Sequence, residues 1–504
     1  MLMKKSYFLP CAALVLFCVG CGTGNNTVGT GFGGGGTAGS FSASNLSGNY
    51  TYQVSGYDLS SGTAIPFREA GAFVADGNGK ITAGEDDFAE GSSVLSNVMA
   101  PGTYSVSQDG TGALTLNFNN GGGLQLAIVV ESAPTVYLAV NVIAPTGNSL
   151  TANGTGVAVA QTTSAFTAPP SGSFAFRLHS INSTQTSASV GAFTIAGGVV
   201  SSGNEDQMNN SVESQLTLTA GSFNTPDSFG RGTGSLTDSS GATTPFSYYV
   251  ADSHHFYLFS SGTGNIGLGQ AESQSGSFSA SSLSGSYVFG SRGDDAFSLG
   301  GVNTVGQFVA SNGTITSGQF DSAQDGTVTN PNITGGNYSV ATNGRAVVNL
   351  TPSSGNPIQE IYWLVSPARA FLLTNDTSKV EDGTADLQQS SSFTKSSLNG
   401  QFGFAMDGFI PISLTSINLY DRVGYMHWDG AGNLGLKEFV NVSGAANQPG
   451  ILQGSYSVGT NGRVTGSVST LSGNLVFYLI SGNQAYILQG DSSTEINGMM
   501  GALP

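Results

Sequence analysis

The sequence predicts an all-β protein of four tandem antiparallel meander units, each a small barrel or strongly curled sheet of about seven or eight strands. Three observations predict this fold class. Apolar and polar residues alternate along short runs, which is the period of a strand with one buried face. Asp-Gly and Asn-Gly pairs separate these runs and specify tight hairpins, because both positions of such a turn need a positive φ. The same landmarks recur four times along the 504 residues.

Residues 1–20 have the pattern of a secretory signal peptide. Lys4 and Lys5 precede an apolar run from Tyr7 to Val19, which matches a positive n-region followed by a short h-region. The run is shorter than the roughly 20 residues of a permanent membrane helix. The sequence therefore predicts export.

Cys18-Val19-Gly20-Cys21 resembles the lipobox of bacterial lipoproteins, in which small residues precede an invariant Cys. The resemblance implies that the signal is cut before Cys21 and that this residue is lipidated on its thiol and its new N-terminus. Several acyl chains together anchor a protein stably in a membrane. The family prefers Leu where this chain has Cys18, so ordinary cleavage with an incidental Cys21 is the alternative. Because Gly22 replaces the Asp that favours inner-membrane retention in enteric lipoproteins, the expected location is the cell envelope, anchored to the outer membrane.

Residues 21–45 consist almost entirely of Gly, Ser, Thr and Asn. Such a composition is typical of a flexible coil. We expect this segment to act as a tether between the lipid and the folded body.

The body divides into four copies of one unit. Each copy begins with a Gly and an aromatic residue two positions later, as in Gly48-Asn49-Tyr50. A Gly-x-Phe strand then leads to a tight turn, as in Gly71-Ala72-Phe73 followed by Asp76-Gly77-Asn78-Gly79. The predicted units are residues 46–161, 172–272, 283–389 and 398–504.

Closure of each meander is expected because it removes exposed strand edges. Two alternatives remain open at this point. Each unit could form a two-sheet sandwich, or all the hairpins could pool into one propeller. Propeller blades usually span about 40–50 residues, so one repeat does not correspond to one blade.

The repeated pattern resembles units of uncharacterised exported lipoproteins that are common in acidobacterial genomes. It reads Gly-x-Phe-x-x-Asp-Gly-x-Gly-x-Ile at 71–81 and Gly-x-Tyr-x-Val-x-x-Asp-Gly at 102–110. The resemblance covers residues 46 to about 500. It implies an envelope location and β-rich repeats, and no activity.

The acidic balance excludes several classes of partner. Acidic residues outnumber basic ones 31 to 14, and the net charge is -17. Proteins that bind nucleic acid need clustered Lys and Arg, so no nucleic-acid partner is expected. Hydrophobic residues make up 39% of the chain and aromatic residues 10%, which is too apolar for a disordered chain.

The sequence predicts no catalytic residues and no cofactor, and a non-enzymatic role is favoured. The four histidines occupy different places in different copies, and no Ser has the surroundings of a nucleophile elbow. A weak calcium site is conceivable near the first hairpin, because Ca²⁺ takes six to eight oxygen ligands. The alternative is that Asp and Asn form turns there while the acids face solvent. The candidate ligands are Asp76, Asn78, Glu85, Asp86 and Asp87.

Other motifs carry weaker signals. Arg292-Gly293-Asp294 spells an integrin-binding tripeptide and is expected in a loop. Aromatic residues in the apolar runs could stack on sugars, although core packing is favoured for most of them. These residues are Tyr248, Tyr249, Tyr362, Trp363 and Tyr478.

Three functions follow as hypotheses. The repeats act as a structural, adhesive or ligand-binding surface for an envelope polysaccharide or protein. Alternatively, paired carboxylates catalyse hydrolysis of a carbohydrate, which requires two acids about 5–10 Å apart across a cleft. As a third possibility, one unit carries a small apolar ligand in an unfilled cavity.

Overall fold

The structure is a computed structural model, and it describes most of the chain after the predicted tether. The described residues are 41–131, 135–140, 152–181, 186–209, 212–262, 265–295, 301–324, 326–413, 416–469, 471, 473–491 and 494–503. The predicted signal peptide, Cys21 and nearly all of the tether lie outside these residues. The predicted fold class is confirmed, because the described chain forms four closed antiparallel barrels.

The first two barrels are eight-stranded meanders in which the last strand pairs with the first. Barrel 1 contains β1 (Ser47–Asp58), β2 (Ile65–Asp76), β3 (Lys80–Glu90), β4 (Ser93–Val106), β5 (Thr111–Phe118), β6 (Gly123–Val130), β7 (Thr135–Val140) and β8 (Ala152–Ala160). Barrel 2 contains β9 (Gly172–Ile181), β10 (Thr186–Ala196), β11 (Val199–Asn209), β12 (Val212–Phe223), β13 (Arg231–Asp238), β14 (Thr243–Asp252), β15 (His255–Gly262) and β16 (Asn265–Ser273).

The last two barrels each add one three-residue strand, β20 or β29, beside the eight that close the ring. Barrel 3 contains β17 (Gly285–Asp295), β18 (Gly301–Ser311), β19 (Thr314–Gln324), β20 (Thr327–Thr329), β21 (Asn332–Val340), β22 (Arg345–Pro352), β23 (Ile358–Ser366), β24 (Arg369–Thr374) and β25 (Lys379–Leu387). Barrel 4 contains β26 (Asn399–Ser413), β27 (Ser416–Asp429), β28 (Asn433–Val442), β29 (Ala445–Asn447), β30 (Leu452–Val458), β31 (Arg463–Val468), β32 (Asn474–Ser481), β33 (Gln484–Asp491) and β34 (Thr494–Ala502).

Helical structure within the described residues is limited to short 3₁₀ turns before each barrel. Three of them pair the N-cap side chain with the third residue of the turn in a capping box. The turns are Ala43–Asn45, Thr163–Thr167, Ala280–Ser282 and Lys395–Ser397.

Alternation along each strand separates an inner face from an outer face. In β1, Tyr50, Tyr52 and Val54 enter the core of barrel 1, whereas Gln53 lies on the opposite face. The hairpin that follows β2 is closed by Asp76, whose Oδ1 accepts hydrogen bonds from the backbone N–H of Asn78 and Lys80 at 2.7 and 2.9 Å. The outer faces are not all exposed, because neighbouring barrels cover part of them.

Each barrel packs on the next, and barrel 4 packs on barrel 1, so the barrel contacts form a closed cycle. Small and aromatic side chains on the outer faces make these contacts. They include Ala70 with Tyr249 between barrels 1 and 2, Val190 with Trp363 between barrels 2 and 3, Val305 with Tyr478 between barrels 3 and 4, and Phe439 with Val129 between barrels 4 and 1.

One buried ion pair crosses three of the four interfaces at equivalent positions. Between barrels 1 and 2, Asp87 accepts hydrogen bonds from Arg231 Nε at 2.7 Å and from Tyr249 Oη at 2.8 Å. Each carboxylate therefore accepts hydrogen bonds from a guanidinium and from an aromatic side chain. The repeated sets are Asp206 with Arg345 and Trp363, and Asp321 with Arg463 and Tyr478.

A glutamine after the last strand of a barrel also clasps the next barrel. Gln161 Nε2 donates to the carbonyl oxygens of Phe229 and Val250 at 2.9 and 2.7 Å. Gln274 and Gln388 make the same pair of bonds to barrels 3 and 4.

The fourth interface differs at each of these positions. Thr111 stands where the other barrels have Arg, and Phe439 stands where they have Asp. Leu503 replaces the clasping Gln and joins the apolar cluster of barrel 1. Asp421 crosses this interface, where its Oδ2 accepts a hydrogen bond from Asn153 Nδ2 at 2.9 Å.

Candidate ligand-binding site in the second barrel

Barrel 2 contains a cavity of about 390 Å³ that reaches the surface at one end. All eight strands contribute lining residues, so the space lies inside the barrel. Exposed residues of the β13–β14 turn, such as Ser240 and Ala242, mark the mouth. Aromatic side chains, among them Phe176 and Phe246, close the inner end.

The cavity exists because barrel 2 has serine at inward positions where the other barrels have larger side chains. On its second strand, Ser189 pairs with Leu178 on the first strand. The residues at that position in the other barrels are Glu69, Thr304 and Arg422. Two residues earlier on the same strand, barrels 1 to 4 have Phe67, Ser187, Val302 and Tyr420. At the inward position of the seventh strand, barrels 1 to 4 have Val140, Ser260, Thr374 and Gln489.

Glu205 is the acidic group inside this cavity. It pairs with Gly191 on the neighbouring strand, opposite the inward ring of Phe176. Burial raises the pKa of Glu205 to about 7, and the charges of Asp238 and Asp206 add to this shift. No hydrogen bond or ion pair joins Glu205 to another described residue.

Hydroxyls, amides and two carboxylates make up the polar lining. Asn265 donates from Nδ2 to Ser187 Oγ at 3.4 Å, while its buried Oδ1 has no partner among the described residues. Asp238 lies at the mouth, where its carboxylate caps the β13–β14 turn by accepting from the N–H of Ser240 at 2.7 Å. The described lining residues include no Lys, Arg or His.

The other barrels fill the same space with ionisable groups of their own. In barrel 4, Arg422 donates through Nε to Glu438 at 2.7 Å and also bonds Gln489, with the guanidinium fully buried. In barrel 1, Glu69 accepts from Tyr52 Oη at 2.7 Å. Burial raises the pKa of both Glu69 and Asp86, and the charge of Glu69 adds to the shift of Asp86.

Barrel 3 contains a second pair of interior acids. Tyr362 donates to Glu360 at 2.6 Å, and Lys379 contacts Glu381 at 2.6 Å. Burial raises the pKa of Glu360 to about 7, whereas Lys379 holds that of Glu381 below its usual range. Glu360 and Glu381 are 3% and 1% exposed, so an extended sugar chain does not reach them. The interior acids of barrels 1 and 3 therefore do not favour glycoside hydrolysis.

Charged residues also converge where the first strands of the four barrels meet. Ser55, His179, Arg292 and Asp407 occupy equivalent positions on these strands and line a common space of about 80 Å³. Arg292 is bonded to Asp407, and His179 Nδ1 lies 2.7 Å from Asp382 Oδ1. The charges at this junction largely satisfy one another, which is typical of a structural contact.

The junction corrects one expectation. The Arg292-Gly293-Asp294 tripeptide was expected in an exposed loop, but it lies within β17 at the centre of the cycle. Arg292 is bonded to Asp407, and Asp294 accepts from Thr186 at 2.9 Å. The loop expectation is wrong because the strand continues to Asp295 to meet the neighbouring barrels.

The five calcium candidates lie in three different environments. Asp76 and Asn78 form the exposed turn between β2 and β3. Asp86 enters barrel 1, whereas Glu85 and Asp87 are on the outer face toward barrel 2, because adjacent strand residues point to opposite sides. Among the described residues, no three His, Cys, Asp or Glu are grouped as a metal site.

The aromatic candidates are all buried, which agrees with core packing. Tyr248 and Tyr362 point into their own barrels, while Tyr249, Trp363 and Tyr478 donate to aspartates of the preceding barrel. Glu205 was visible in the sequence only as one acid after a hairpin. The signal that would have located the cavity is the set of serines at 187, 189 and 260, once the four copies are compared position by position.

Over the described part of the chain, no helix has the length and hydropathy needed to cross a membrane. No family model matches the chain, and no curated protein matches it. Among solved structures, a DUF3598-family protein of unknown function from Nostoc punctiforme is 12% identical, with 44% of this chain and 94% of that chain covered and a TM-score of 0.15. A transferrin binding protein B double mutant from Haemophilus parasuis is 10% identical, covering 75% and 85%, with a TM-score of 0.18. An isotype 1 transferrin binding protein B from Neisseria meningitidis is 8% identical, covering 73% and 83%, with a TM-score of 0.18. At these identities and TM-scores, the similarities carry no inference about the function of this chain.

Proposed function

We propose that the protein is a non-enzymatic binding protein of the bacterial cell envelope that holds a small molecule inside barrel 2. The observation that carries this proposal is the 390 Å³ cavity, which is enclosed by all eight strands and open at one end. Ligand sites are typically concave, with apolar walls and a few convergent polar groups. The inner wall of Phe176, Leu218 and Leu258 and the polar group Glu205 meet that description.

The lining favours an amphipathic ligand over the purely apolar ligand expected from the sequence. An apolar molecule would leave Glu205 and the free Oδ1 of Asn265 without hydrogen bonds, which costs free energy in a buried site. A ligand with both an apolar body and a polar end satisfies both parts of the wall.

The envelope location remains a proposal that the N-terminal sequence supports. Cys21 follows a signal-like segment and precedes a Gly-rich tether, as in lipid-anchored proteins. Labelling with a fatty acid in the producing bacterium should be lost in Cys21→Ser and kept in Cys18→Ser. Continued labelling of Cys21→Ser would contradict lipidation at this residue.

Titration calorimetry of the purified protein with a neutral probe, 2-phenylethanol, tests the binding function. The probe should bind the unmodified protein, and Ser187→Phe should abolish binding because Phe67 fills the corresponding space in barrel 1. Ser201→Phe, at an exposed position of β11, is the matched control and should bind normally. Equal binding of the probe by the unmodified protein and by the Ser187→Phe variant would overturn the proposed function.

A further inference from the structure

We infer that the ligand of barrel 2 carries a positively charged ammonium or guanidinium group, which is bound by Glu205. This inference rests on the proposed function and names the chemical class of the ligand. The equivalent positions of barrel 4 and the charge of the cavity wall support it.

Barrel 4 contains a guanidinium in the space that barrel 2 leaves empty. Arg422 of barrel 4 occupies the position of Ser189, and its partner Glu438 occupies the position of Glu205. Barrel 2 thus has the carboxylate of this pair without the cation that neutralises it in barrel 4.

Barrel 2 also lacks the second partner of the guanidinium. Gln489, which accepts from Arg422, corresponds to Ser260 of barrel 2. Ser189 and Ser260 both line the cavity. The volume vacated by one Arg and one Gln side chain therefore lies directly beside Glu205, where a bound cation would take the place of the Arg422 guanidinium.

The wall of the cavity selects for positive charge. Its ionisable groups among the described residues are Glu205 and Asp238, and no described lining residue is cationic. Arg345 is bound to Asp206 on the opposite face of the same strand, so its charge does not neutralise Glu205 in the interior. An anionic ligand would be repelled, whereas a cation would relieve the unfavourable burial of the Glu205 charge.

The remaining polar atoms fit the same ligand. Ammonium and guanidinium groups are hydrogen-bond donors without acceptor capacity. The unpartnered Oδ1 of Asn265 and the hydroxyl oxygens of Ser187 and Ser189 can accept such bonds. The apolar part of the ligand would then pack against Phe176 and Leu178.

A matched pair of probes separates charge from shape. In calorimetric titrations at pH 8, 2-phenylethylammonium should bind at least tenfold more tightly than the isosteric 2-phenylethanol. Glu205→Gln should weaken binding of the ammonium probe at least tenfold and change binding of the alcohol less than twofold. For the unmodified protein, affinity for the ammonium probe should rise from pH 5 to pH 8, because protonation of Glu205 removes its negative charge.

A second variant places the cation inside the barrel. Ser189→Arg should form the internal pair seen in barrel 4, so both probes should lose binding and the melting temperature should rise. Ser201→Arg on the exposed face is the control and should bind both probes normally.

The outcomes distinguish the two proposals. Equal affinity of both probes, with loss of both in Ser189→Arg, would overturn the cation inference and leave the binding function intact. No binding of either probe would overturn the proposed function and the inference with it. Ammonium binding that persists in Ser189→Arg would place the cation site elsewhere and overturn the inference.

Discussion

Asp206 shows how a single carboxylate holds two barrels together. Its side chain is 0% exposed and accepts hydrogen bonds from the guanidinium of Arg345 and from Trp363 Nε1 at 2.8 Å. Each lone pair that is removed from water is therefore matched by a donor. A buried pair of this kind is costly to break, because the remaining partner keeps its charge in a dry environment.

We expect Asp206→Ala to destabilise the protein by about 3–5 kcal/mol, since it leaves the Arg345 guanidinium without its carboxylate. Lys437→Met provides a comparison, because the Lys437 side chain is 38% exposed in its pair with Asp109. An exposed pair contributes roughly 0–1 kcal/mol. Urea unfolding followed by fluorescence measures both variants. Equal destabilisation by the two substitutions would contradict the importance of burial.

Residue identity alone did not show on which side of a sheet an acid lies. The run Glu85-Asp86-Asp87 suggested one cluster, yet Asp86 points inward and its two neighbours point outward. Calcium binding at these residues stays a prediction. Strand direction and the presence of a neighbouring barrel decide their environments, and both depend on contacts distant in sequence.

At the level of strands, the sequence predicted most of what the structure contains. Alternating runs became strands, and turns such as Asp76–Lys80 close hairpins as the Asp-Gly pattern indicates. Runs that are apolar on both faces were harder to interpret. In β14, Tyr248 packs inside barrel 2 while Tyr249 is buried under barrel 1, so the strand lacks a polar face.

The glutamine clasps are another feature at this scale. Gln388 Nε2 donates to the carbonyl oxygens of Asn461 and Leu479 at 3.0 and 2.8 Å and so links the end of β25 to barrel 4. An unsatisfied buried polar group costs about 1–3 kcal/mol. Nothing in the local sequence pattern distinguishes this Gln from a solvent-exposed one.

Gln388→Leu should therefore loosen barrel 4 from barrel 3 while both barrels stay folded. We expect faster hydrogen exchange in the Ser390–Ser397 linker and in β32, with unchanged circular dichroism. Ser392→Ala, at an exposed linker position, is the control and should exchange like the unmodified protein. Unchanged exchange in Gln388→Leu would show that the clasp does not hold the barrels together.

Buried carboxyl groups, both at the interfaces and inside the barrels, determine how the whole molecule responds to pH. Several buried carboxyl groups have raised pKa values because of desolvation: Glu85 and Asp421 to about 8, and Glu131, Glu205 and Glu360 to about 7. A carboxyl group whose pKa is higher in the folded than in the unfolded protein destabilises the folded state as pH rises. The loss begins near the unfolded-state pKa and is complete above the folded-state pKa. Others, such as Asp87, Asp382 and Asp429, have lowered pKa values and lose their stabilising contribution as pH falls.

We therefore expect the melting temperature to be highest between about pH 4 and pH 6, since unfolded carboxyl groups titrate near 4. It should fall as pH rises toward 8 and fall again below pH 4. Asp421→Asn should flatten the alkaline side, because Asp421 is buried at the interface of barrels 4 and 1. Scanning calorimetry from pH 3 to pH 9 measures this, and a melting temperature that rises from pH 5 to pH 8 would contradict it.

At the position of the repeated Asp–Arg pair, barrels 4 and 1 make an apolar contact through Phe439. Phe439→Asp should open the interface of barrels 4 and 1, because no Arg faces the new carboxylate. Adding Thr111→Arg should restore it by recreating the pair found at the other interfaces. Hydrogen exchange of β6 and β27 should increase in the single variant and return toward normal in the double variant. Equal exchange in the single and double variants would contradict the equivalence of the four positions.

The four-barrel fold class could be predicted from the sequence, but the cycle and the cavity could not. Both depend on residues that differ between the copies at equivalent positions, such as Phe439 and Asp87 or Ser189 and Arg422. Such a difference cannot be recognised from the sequence of one copy, because it changes neither the strand pattern nor the turn. Its effect becomes visible only when the registers of all four barrels are known.

The asymmetric contact between barrels limits how many barrels the repeat array can contain. At three interfaces, the Asp of one barrel meets an Arg on a different face of the next barrel, which is a head-to-tail arrangement. Contacts of this type either continue without limit or close after a fixed number of units. Here the fourth unit meets the first through Phe439 and Leu503. Duplication of one more barrel would have no place in the closed set, so the copy number is fixed by geometry.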